Sequence, residues 1–288
     1  MMTDFRMKSF QLGLTGYPLG HSLSPVIHAA ALQACGLKGN YSLYPIHPQD
    51  SEGLSGLISS MRNGSLDGLN VTIPHKQKIV SLLDELTPEA KFIGAVSVIY
   101  RQGEKLTGAN MDAPGFLTDL KRFLGNWDRE AGKAALVLGA GGSARAVVYA
   151  LLMDGWSVTV ASRRIEQTQE LSNLFDGDKV QVMDFAHFNP NGFQLFVNTT
   201  PLGMWPDVEQ SPWPEGIAFP PGAVVYDLVY NPRETQLVRN AQAHGLLATS
   251  GIGMLIEQAA LAFETWTGNH PPRDILWDAI NPKLTTDH

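Results

Sequence analysis

A glycine-rich stretch between a short apolar run and a helical pattern constrains the fold most. Residues 136–146 read LVLGAGGSARA, which has the form G-x-G-x-x-A. Gly139 permits a tight turn, Gly141 lets the backbone approach a ligand closely, and Ala144 allows the helix to pack near the strand. The free N–H groups at the start of such a helix attract phosphate. The stretch therefore predicts a Rossmann-type unit that binds a dinucleotide, rather than an ordinary glycine-rich turn.

The end of the next predicted strand, residues 157–161, indicates which dinucleotide is bound. An NAD-binding unit carries Asp or Glu about 20 residues after the glycines, where it binds the ribose 2′-hydroxyl. This chain has Ser162, Arg163 and Arg164 there instead. A carboxylate repels a 2′-phosphate, whereas guanidinium groups bind it through charge-assisted, bidentate hydrogen bonds. The alternative is that the two arginines simply begin a solvated helix. The pattern favours NADP(H).

Short apolar strands alternate with helical stretches, which is typical of an α/β fold with largely parallel sheets. In the first third, strands are predicted at residues 10–15, 40–46, 66–73 and 95–100, and helices at 26–35, 54–61, 76–83 and 87–93. A second series follows from about residue 114, with strands at 134–138, 157–161, 179–183, 194–198 and 223–228. A last helix at 253–267 is too apolar to be exposed. The length of 288 residues fits about two domains.

Charge and composition exclude several classes of function. The 21 Lys and Arg against 28 Asp and Glu give a net charge of −7, which disfavours binding to nucleic acid or an anionic membrane. One cysteine excludes an internal disulfide, and no histidine spacing suggests a metal site. Residues 1–13 lack an apolar segment of signal-peptide length, and no later run is long enough to span a membrane. We therefore expect a soluble cytoplasmic protein.

Three segments carry polar side chains that helix or strand packing does not require. Ser22 and Ser24 stand just before a predicted helix, and N-capping explains one serine better than two. Lys76 follows a strand that Pro74 ends, although a surface lysine is the usual case. Asp112 precedes the second series of elements, where a turn or cap aspartate is also common.

These segments occur in an order that resembles the shikimate dehydrogenase family, which includes quinate and aminoshikimate dehydrogenases. The matching stretches are HSLSP at 21–25, NVTIP at 70–74 with Lys76, Asn110-x-Asp112, GAGG at 139–142, Ser162-Arg163, NTT at 198–200 with Gly203, YNP at 230–232 with Thr235, and GIGML at 251–255 with Gln258. Each stretch is weak evidence alone, whereas the ordered set along nearly the whole chain is specific.

The resemblance implies a split architecture. An N-terminal α/β substrate domain would comprise residues 1–112 and would be completed by residues 251–288, so it would be discontinuous. A Rossmann-type, doubly wound NADP-binding domain would occupy residues 113–250. The apolar last helix would then return to cover the first sheet.

The resemblance also implies the reaction, a reversible NADPH-dependent reduction of 3-dehydroshikimate to shikimate in aromatic amino-acid biosynthesis. Lys76, paired with Asp112, would be the acid–base group that hydride transfer at a carbinol carbon requires. The implied substrate-binding residues are Ser22, Ser24, Thr72, Ser97, Asn110, Tyr230 and Gln258. The implied cofactor-binding residues are Gly139, Ala140, Gly141, Gly142, Ser143, Ser162, Arg163, Arg164, Thr199, Leu228 and Gly251.

Two departures from the family pattern leave the substrate open. The family usually has asparagine where this chain has Ser97 and threonine where it has Met111. Elsewhere, Ala29 stands where asparagine is common, and Arg164 replaces a more frequent threonine among the cofactor residues. A quinate or aminoshikimate dehydrogenase with altered preference is therefore an alternative, as is a non-catalytic NADP-binding sensor. Retention of Lys76 and Asp112 disfavours the sensor, and the absence of a G-x-S-x-G stretch disfavours a serine hydrolase. The oligomeric state is expected to be a monomer or homodimer.

Overall fold

The computed structural model describes residues 8–125, 132–176 and 178–284. Residues 1–7, which carry part of the signal-peptide expectation, and residues 285–288 of the implied substrate domain lie outside this description. Within the described part, the chain forms two compact units. The first unit contains the residues up to Met111 and those from Gln258 onward, and the second unit is Asp112–Glu257. No helix among the described residues is long and apolar enough to cross a membrane.

Helices and strands alternate through both units. The helices α1 to α9 are Ser24–Ala34, Ser51–Arg62, Pro88–Ile93, Asp112–Leu124, Gly142–Met153, Ile165–Leu174, Gln236–Ala243, Ile252–Thr267 and Arg273–Leu284. The strands β1 to β12 are Ser9–Gly16, Lys38–Pro45, Gly68–Val71, Glu85–Leu86, Val98–Gln102, Lys105–Ala109, Ala134–Leu138, Ser157–Ser162, Val180–Asp184, Leu195–Asn198, Val224–Asp227 and Leu247–Ser250.

The sheet of the first unit has the order β2-β1-β3-β5-β6-β4. Strand β1 pairs in parallel with β2 and β3, while β5 is antiparallel to both β3 and β6. Strands β4 and β6 also pair in parallel, so three of the five strand pairs are parallel, as the alternation of elements predicts, and β5 alone runs antiparallel to its neighbours. The cause is a tight hairpin between β5 and β6, where Gly103 has a φ of +64°, since two strands joined by so short a turn must run antiparallel.

The predicted helix over residues 76–83 is wrong. A 3-10 helix spans Lys78–Leu82 instead. The carbonyl of Lys76 accepts a hydrogen bond from the N–H of Val96 at 2.8 Å, so it is not used within an α-helix. The N–H of Val80 bonds to the carbonyl of Gln77 at 3.3 Å, which is the tighter 3-10 pattern.

The C-terminal helices complete the first unit. The indole Nε1 of Trp266 on α8 donates to the carbonyl of Ile99 on β5 at 3.0 Å. The Trp266 ring also occupies the space that a side chain at Gly68 on β3 would need. Next to it, the fully buried His28 of α1 stacks on Tyr41 with ring centroids 4.3 Å apart. The apolar last part of the chain thus packs on the first sheet.

The sheet of the second unit has the order β12-β11-β10-β7-β8-β9, and every pair is parallel. Strand order reverses between β7 and β10. In doubly wound sheets, ligands bind beyond the carboxyl ends of the strands at such a reversal. The strands are apolar on both faces because helices cover both sides of such a sheet.

The long Pro-rich connection between β10 and β11 folds back onto this sheet. Its Trp213 is buried, and the indole Nε1 donates to the carbonyl of Ile217 at 2.8 Å. The Trp213 ring stacks on Phe219 at 4.2 Å and meets Phe196 of β10 edge-on at 4.9 Å. This aromatic cluster ties the connection to the core.

Candidate active site

The turn between β7 and α5 is shaped by glycine backbone. Gly139 has a φ of +110°, and a Cβ there would lie 2.5 Å from the hydroxyl of Thr199. That hydroxyl donates to the carbonyl of Leu138 at 2.8 Å, which holds the loop after β10 against the loop after β7. Only glycine fits position 139, for both conformational and steric reasons.

The first turn of α5 is suited to an anion. Its N-cap is Gly141, and no side chain of the described residues caps the helix there. A Cβ at Gly141 would meet nothing within 4 Å, so the space beyond the helix is open. Backbone N–H groups that point out of the first turn of a helix, together with the positive end of the helix dipole, favour a phosphate at such a place. The predicted cofactor residues Ala140, Gly142 and Ser143 lie in the same turn. The pyrophosphate of a dinucleotide fits this arrangement.

The end of β8 presents two arginines. Arg163 and Arg164 are both exposed. The hydroxyl of Ser162 donates to the carbonyl of Arg164 at 2.9 Å and lies 2.7 Å from the hydroxyl of Thr168 on α6. Ser162 therefore fixes the turn that carries the two guanidinium groups. Exposed guanidinium groups at this strand end fit a 2′-phosphate.

Sequence reasoning did not identify Arg145, which lies in the first turn of α5. Its side chain is half-buried, and burial lowers the pKa of its guanidinium, with Glu170 on α6 opposing the shift. Its Nε has no hydrogen-bond partner among the described residues. Arg145 directly follows the last position of the glycine motif, which specifies no residue there.

A buried carboxylate organises the loops after β10 and β11. Asp227 accepts hydrogen bonds from the Asn198 side chain at 2.7 Å, the Val229 N–H at 3.0 Å and the Thr235 hydroxyl at 2.6 Å. Burial raises the pKa of Asp227 to about 6, against the opposing effect of these three donors. Thr235 also caps α7. Asp227 gave no signal in the sequence because its side-chain partners, Thr235 and Asn198, lie 8 and 29 residues away.

The structure brings two further predicted cofactor residues together. The N–H of Leu228 donates to the carbonyl of Asn198 at 2.9 Å, and the backbone of Leu228 occupies the space that a Cβ at Gly251 would need. Tyr230, predicted as a substrate ligand, lies two residues further along in the second unit and is partly exposed. Its surroundings raise the pKa of its phenol through desolvation.

Predicted substrate ligands of the first unit meet at one edge of its sheet. Strands β3 and β6 end there and the antiparallel β5 begins there, as the pairings Asn70 with Val98 and Val98 with Ala109 show. Thr72 follows β3, Asn110 follows β6, and Ser97 precedes β5. All three residues therefore lie at the same edge of the sheet. Ser97 and Asn110 are buried and Thr72 is half-buried.

Residues 95–97 connect these side chains. The carbonyl of Ala95 accepts from the Asn110 side chain at 3.0 Å, and the N–H of Val96 donates to the carbonyl of Lys76 at 2.8 Å. The hydroxyl of Ser97 accepts from the N–H of Met111 at 2.8 Å. The two residues that depart from the family pattern thus contact each other. This segment had no recognisable sequence signal beyond Ser97 itself.

The backbone next to Lys76 is fixed by hydrogen bonds of His75. The buried ring of His75 has its Nε2 2.7 Å from the carbonyl of Ile46, and its N–H donates to the carbonyl of Thr72 at 2.9 Å. Lys76 is half-buried in the first unit. Asp112 is buried at the start of α4 in the second unit. The role of each as an acid–base group remains a prediction.

The two predicted serines differ in their surroundings. Ser22 is half-buried, and its hydroxyl accepts from the N–H of Ser24 at 3.3 Å. Ser24 is buried as the first residue of α1. Gln258 on α8 is half-buried in the first unit. In the described part of the chain, no group of three or more His, Cys, Asp and Glu side chains could hold a metal ion.

An all-parallel sheet with a glycine turn at a helix N-terminus and arginines at the next strand end defines a dinucleotide-binding protein of the Rossmann class. The family model of the shikimate dehydrogenase substrate binding domain matches residues 14–99, and that of the shikimate 5′-dehydrogenase C-terminal domain matches residues 251–280. Shikimate dehydrogenase (NADP(+)) from Salinibacter ruber is 41% identical over 276 residues, covering 93% of this chain and 95% of the relative. The chain belongs to the shikimate dehydrogenase family.

Two other proteins extend the comparison. Shikimate dehydrogenase (NADP(+)) from Shouchella clausii is 38% identical over 280 residues, covering 96% of this chain and 99% of the relative. Shikimate 5-dehydrogenase from Thermus thermophilus, solved in complex with NADP(H) and shikimate, is 36% identical with a TM-score of 0.85. The match covers 96% of this chain and all of that structure. The expected α/β fold and family are confirmed.

Proposed function

We propose that this chain is an NADP-dependent shikimate dehydrogenase, which reversibly reduces 3-dehydroshikimate to shikimate. The observation that carries the proposal is the cluster at one edge of the first sheet, where Thr72, Ser97 and Asn110 meet and residues 95–97 bind the backbone of Lys76. Polar groups placed in this way discriminate strongly against a substrate that leaves them unpaired. The names of the relatives support the same substrate and cofactor.

Proton transfer is assigned to Lys76 with Asp112. NADP(H), when bound, supplies or accepts the hydride. Reduction of a ketone places negative charge on its oxygen, so a group that donates a proton to that oxygen stabilises the transition state. Lys76 is proposed to donate this proton and, in the reverse direction, to accept it. Asp112 is proposed to be the second member of this acid–base pair.

Binding roles follow for the other side chains. Ser22, Ser24 and Tyr230 are proposed to hold the substrate carboxylate. Ser97 is proposed to contact the ring, and Thr72, Asn110 and Gln258 to bind ring hydroxyls or the carboxylate. Because the Ser97 oxygen accepts from the N–H of Met111, its own O–H remains a donor for a ring oxygen. Serine is shorter than the asparagine usual in the family and offers one fewer donor.

Cofactor roles are proposed for the glycine turn and the arginines. Residues 139–143 would bind the pyrophosphate, Arg163 and Arg164 the 2′-phosphate, and Thr199, Leu228 and Gly251 would border the rest of the cofactor, while Ser162 holds the arginine turn. The enzyme is further proposed to act in the cytoplasm, as a monomer or homodimer.

One set of rate measurements tests the proposal. The purified chain is assayed for formation of reduced nicotinamide with shikimate or quinate, each with NADP⁺ or NAD⁺. We expect the highest kcat/KM with shikimate and NADP⁺. A kcat/KM for quinate equal to or above that for shikimate would assign the chain to the quinate side of the family. Absence of turnover with shikimate, quinate and aminoshikimate would support a non-catalytic sensor instead.

A further inference from the structure

A buried polar cluster in the second unit joins α4 to the start of α8. Its centre is the phenol of Tyr226 on β11, which is fully buried. The phenol donates to the carboxylate of Asp119 on α4 at 2.5 Å. The same oxygen accepts from the backbone N–H of Met254 in the first turn of α8. One hydroxyl therefore bridges two helices that are far apart in sequence.

The Asp119 carboxylate makes the other half of this connection. It is buried, and it pairs with the guanidinium of Arg122 one turn along α4. The Arg122 guanidinium also lies 3.9 Å from the carboxylate of Glu257 on α8. A Cβ at Gly253 would collide with the Asp119 carboxylate, so the backbone of α8 packs directly on it. The positive end of a helix dipole favours a carboxylate in this position.

Aromatic rings and electrostatics keep the cluster in one arrangement. Phe116 and Phe123 of α4 meet the Tyr226 ring edge-on, with centroids 5.1 Å and 6.4 Å away. Burial and the adjacent Asp119 carboxylate raise the pKa of Tyr226 well above its ordinary value. The phenol therefore stays an O–H donor across the working pH range.

The chain passes between the two units in the same two helices that the cluster joins. It enters the second unit at Asp112, the first residue of α4, and leaves it between Glu257 and Gln258 on α8. Asp119 lies seven residues after Asp112, about two helical turns, so both carboxylates project from one face of α4. Gln258 lies four residues after Met254, one turn further along α8.

We propose that Asp119 and Tyr226 are positioning residues, which fix α4 and the first turn of α8 and thereby orient Asp112 and Gln258. This inference rests on the proposed function, since it assigns Asp112 to proton transfer and Gln258 to substrate binding. The inference is tested through kcat and KM, because a displacement of about 1 Å at a catalytic group can lower a rate up to a hundredfold. Binding of the cofactor's phosphates is expected to change little, because the glycine turn and Arg163 lie on other elements, and the two-residue spacing from Tyr226 to Leu228 is unchanged in the variants.

Tyr226→Phe removes only the hydroxyl and keeps the ring packing. We expect kcat for shikimate oxidation to fall about tenfold and KM for shikimate to rise severalfold, while the Kd of NADP⁺ stays within twofold. Asp119→Asn retains an acceptor for the phenol and should retain more activity than Asp119→Ala. If Asp119→Ala fails to fold, the Tyr226→Phe and Asp119→Asn variants decide the matter.

Ser172→Ala is the matched control. The buried Ser172 hydroxyl on α6 donates to the carbonyl of Val180 at 2.6 Å, so this variant likewise removes a buried, hydrogen-bonded hydroxyl from the second unit. It should lower Tm to a similar degree and leave kcat and KM within twofold. If Tyr226→Phe and Asp119→Asn behave like this control, the cluster is only structural and the inference is wrong. A wild-type chain without turnover would reject the proposed function, and the inference with it.

Discussion

The second unit shapes its candidate ligand site with backbone, whereas the first unit uses side chains. In the second unit, the backbone of Gly139 and Gly141 shapes the turn before α5 that is proposed to bind phosphate. In the first unit, Thr72, Ser97 and Asn110 converge at one sheet edge through the pairing of three strands. The first arrangement needs a particular backbone conformation, and the second needs particular side chains at a particular register.

This difference predicts different responses to substitution. A backbone site tolerates changes in neighbouring side chains but not the addition of a Cβ where φ is positive. A side-chain site loses function when one polar group is removed, although its backbone is intact. Substitutions in each unit can therefore test whether cofactor binding depends on backbone conformation in the second unit and catalysis on polar side chains in the first.

The largest effect is expected at Lys76. Removal of a general acid–base group typically lowers a rate by about 10²–10⁴-fold. We expect Lys76→Ala to reduce kcat for shikimate oxidation within that range and to leave the Kd of NADP⁺ unchanged. Lys78→Ala is the control, because the exposed Lys78 ammonium binds only the Pro48 carbonyl and the Ser51 hydroxyl among the contacts of the described residues. A turnover of Lys76→Ala within twofold of wild type would remove Lys76 from the mechanism.

The next effect concerns stability of the second unit as a function of pH. The pKa of Asp227 is raised to about 6 from an ordinary value of 3.8, so the folded state binds this proton more tightly than the unfolded state. Stability from this group is therefore greatest below pH 4 and falls as pH rises to 6, by up to about 3 kcal/mol. The Asp227→Asn variant has no carboxyl group to bind this proton. The unfolding free energy of wild type minus that of the variant should therefore decrease as the pH rises from 4 to 6.

Urea unfolding at pH 4, 5, 6 and 7 measures that difference. Asp184→Asn is the control of opposite sign, because the Ala186 N–H and the His187 side chain lower the pKa of the exposed Asp184. Its contribution is present above pH 4 and is lost only as pH falls further. A wild-type minus Asp227→Asn difference that stays constant from pH 4 to 7 would contradict the raised pKa.

A smaller effect separates backbone strain from crowding in the second unit. Gly139 and Gly216 both have positive φ, but a Cβ at Gly139 would meet Thr199, whereas one at Gly216 would meet nothing within 4 Å. An L residue in such a conformation costs about 1–3 kcal/mol. Both Gly139→Ala and Gly216→Ala should lower Tm, and only Gly139→Ala should also raise the Kd of NADP⁺, by up to about a hundredfold. Equal Kd values for the two variants would show that the glycine turn does not bind the cofactor.

The smallest expected effect distinguishes the two dinucleotides. A hydrogen bond to a charged group contributes about 1.5–3 kcal/mol, so loss of one exposed guanidinium should weaken NADP⁺ binding by about tenfold. Arg163→Ala should show this loss with NADP⁺ and none with NAD⁺, in parallel titrations. Arg239→Ala is the control, since its guanidinium binds the Glu234 carbonyl and the Gln236 side chain on α7. A similar loss for NADP⁺ and NAD⁺ would show that Arg163 does not read the 2′-phosphate.

The sequence predicted the second unit well because its pattern is local. The glycine turn, the apolar strand before it and the helix after it lie within about 20 residues, and β7, β8 and α5 occur where the pattern placed them. The choice of NADP rested on Arg163 and Arg164 at a strand end, and the NADP-dependent relatives agree with it.

The remaining features depend on contacts between distant residues. Tyr226 and Asp119 are 107 positions apart, and Asp227 and Asn198 are 29 apart. The contact of Ser97 with Met111 requires the β5–β6 hairpin, which the alternation of elements did not reveal. The 3-10 helix after Lys76 likewise depends on a hydrogen bond from Val96. Roles for Lys76, Asp112 and the substrate ligands came from family resemblance, because no local pattern specifies them.

The return of α8 to the first sheet determines the order in which the parts can form during translation. The hydrogen bond from Trp266 to Ile99 joins residues 167 positions apart. At roughly 5–20 residues per second, the ribosome needs about 10–30 s to synthesise the chain between them. During that interval the face of β3 and β5 that Trp266 covers is exposed on the nascent chain. Residues 112–257 of the second unit are synthesised before Trp266, so the second unit is expected to fold first, and the first unit to complete its core only once α8 has been synthesised.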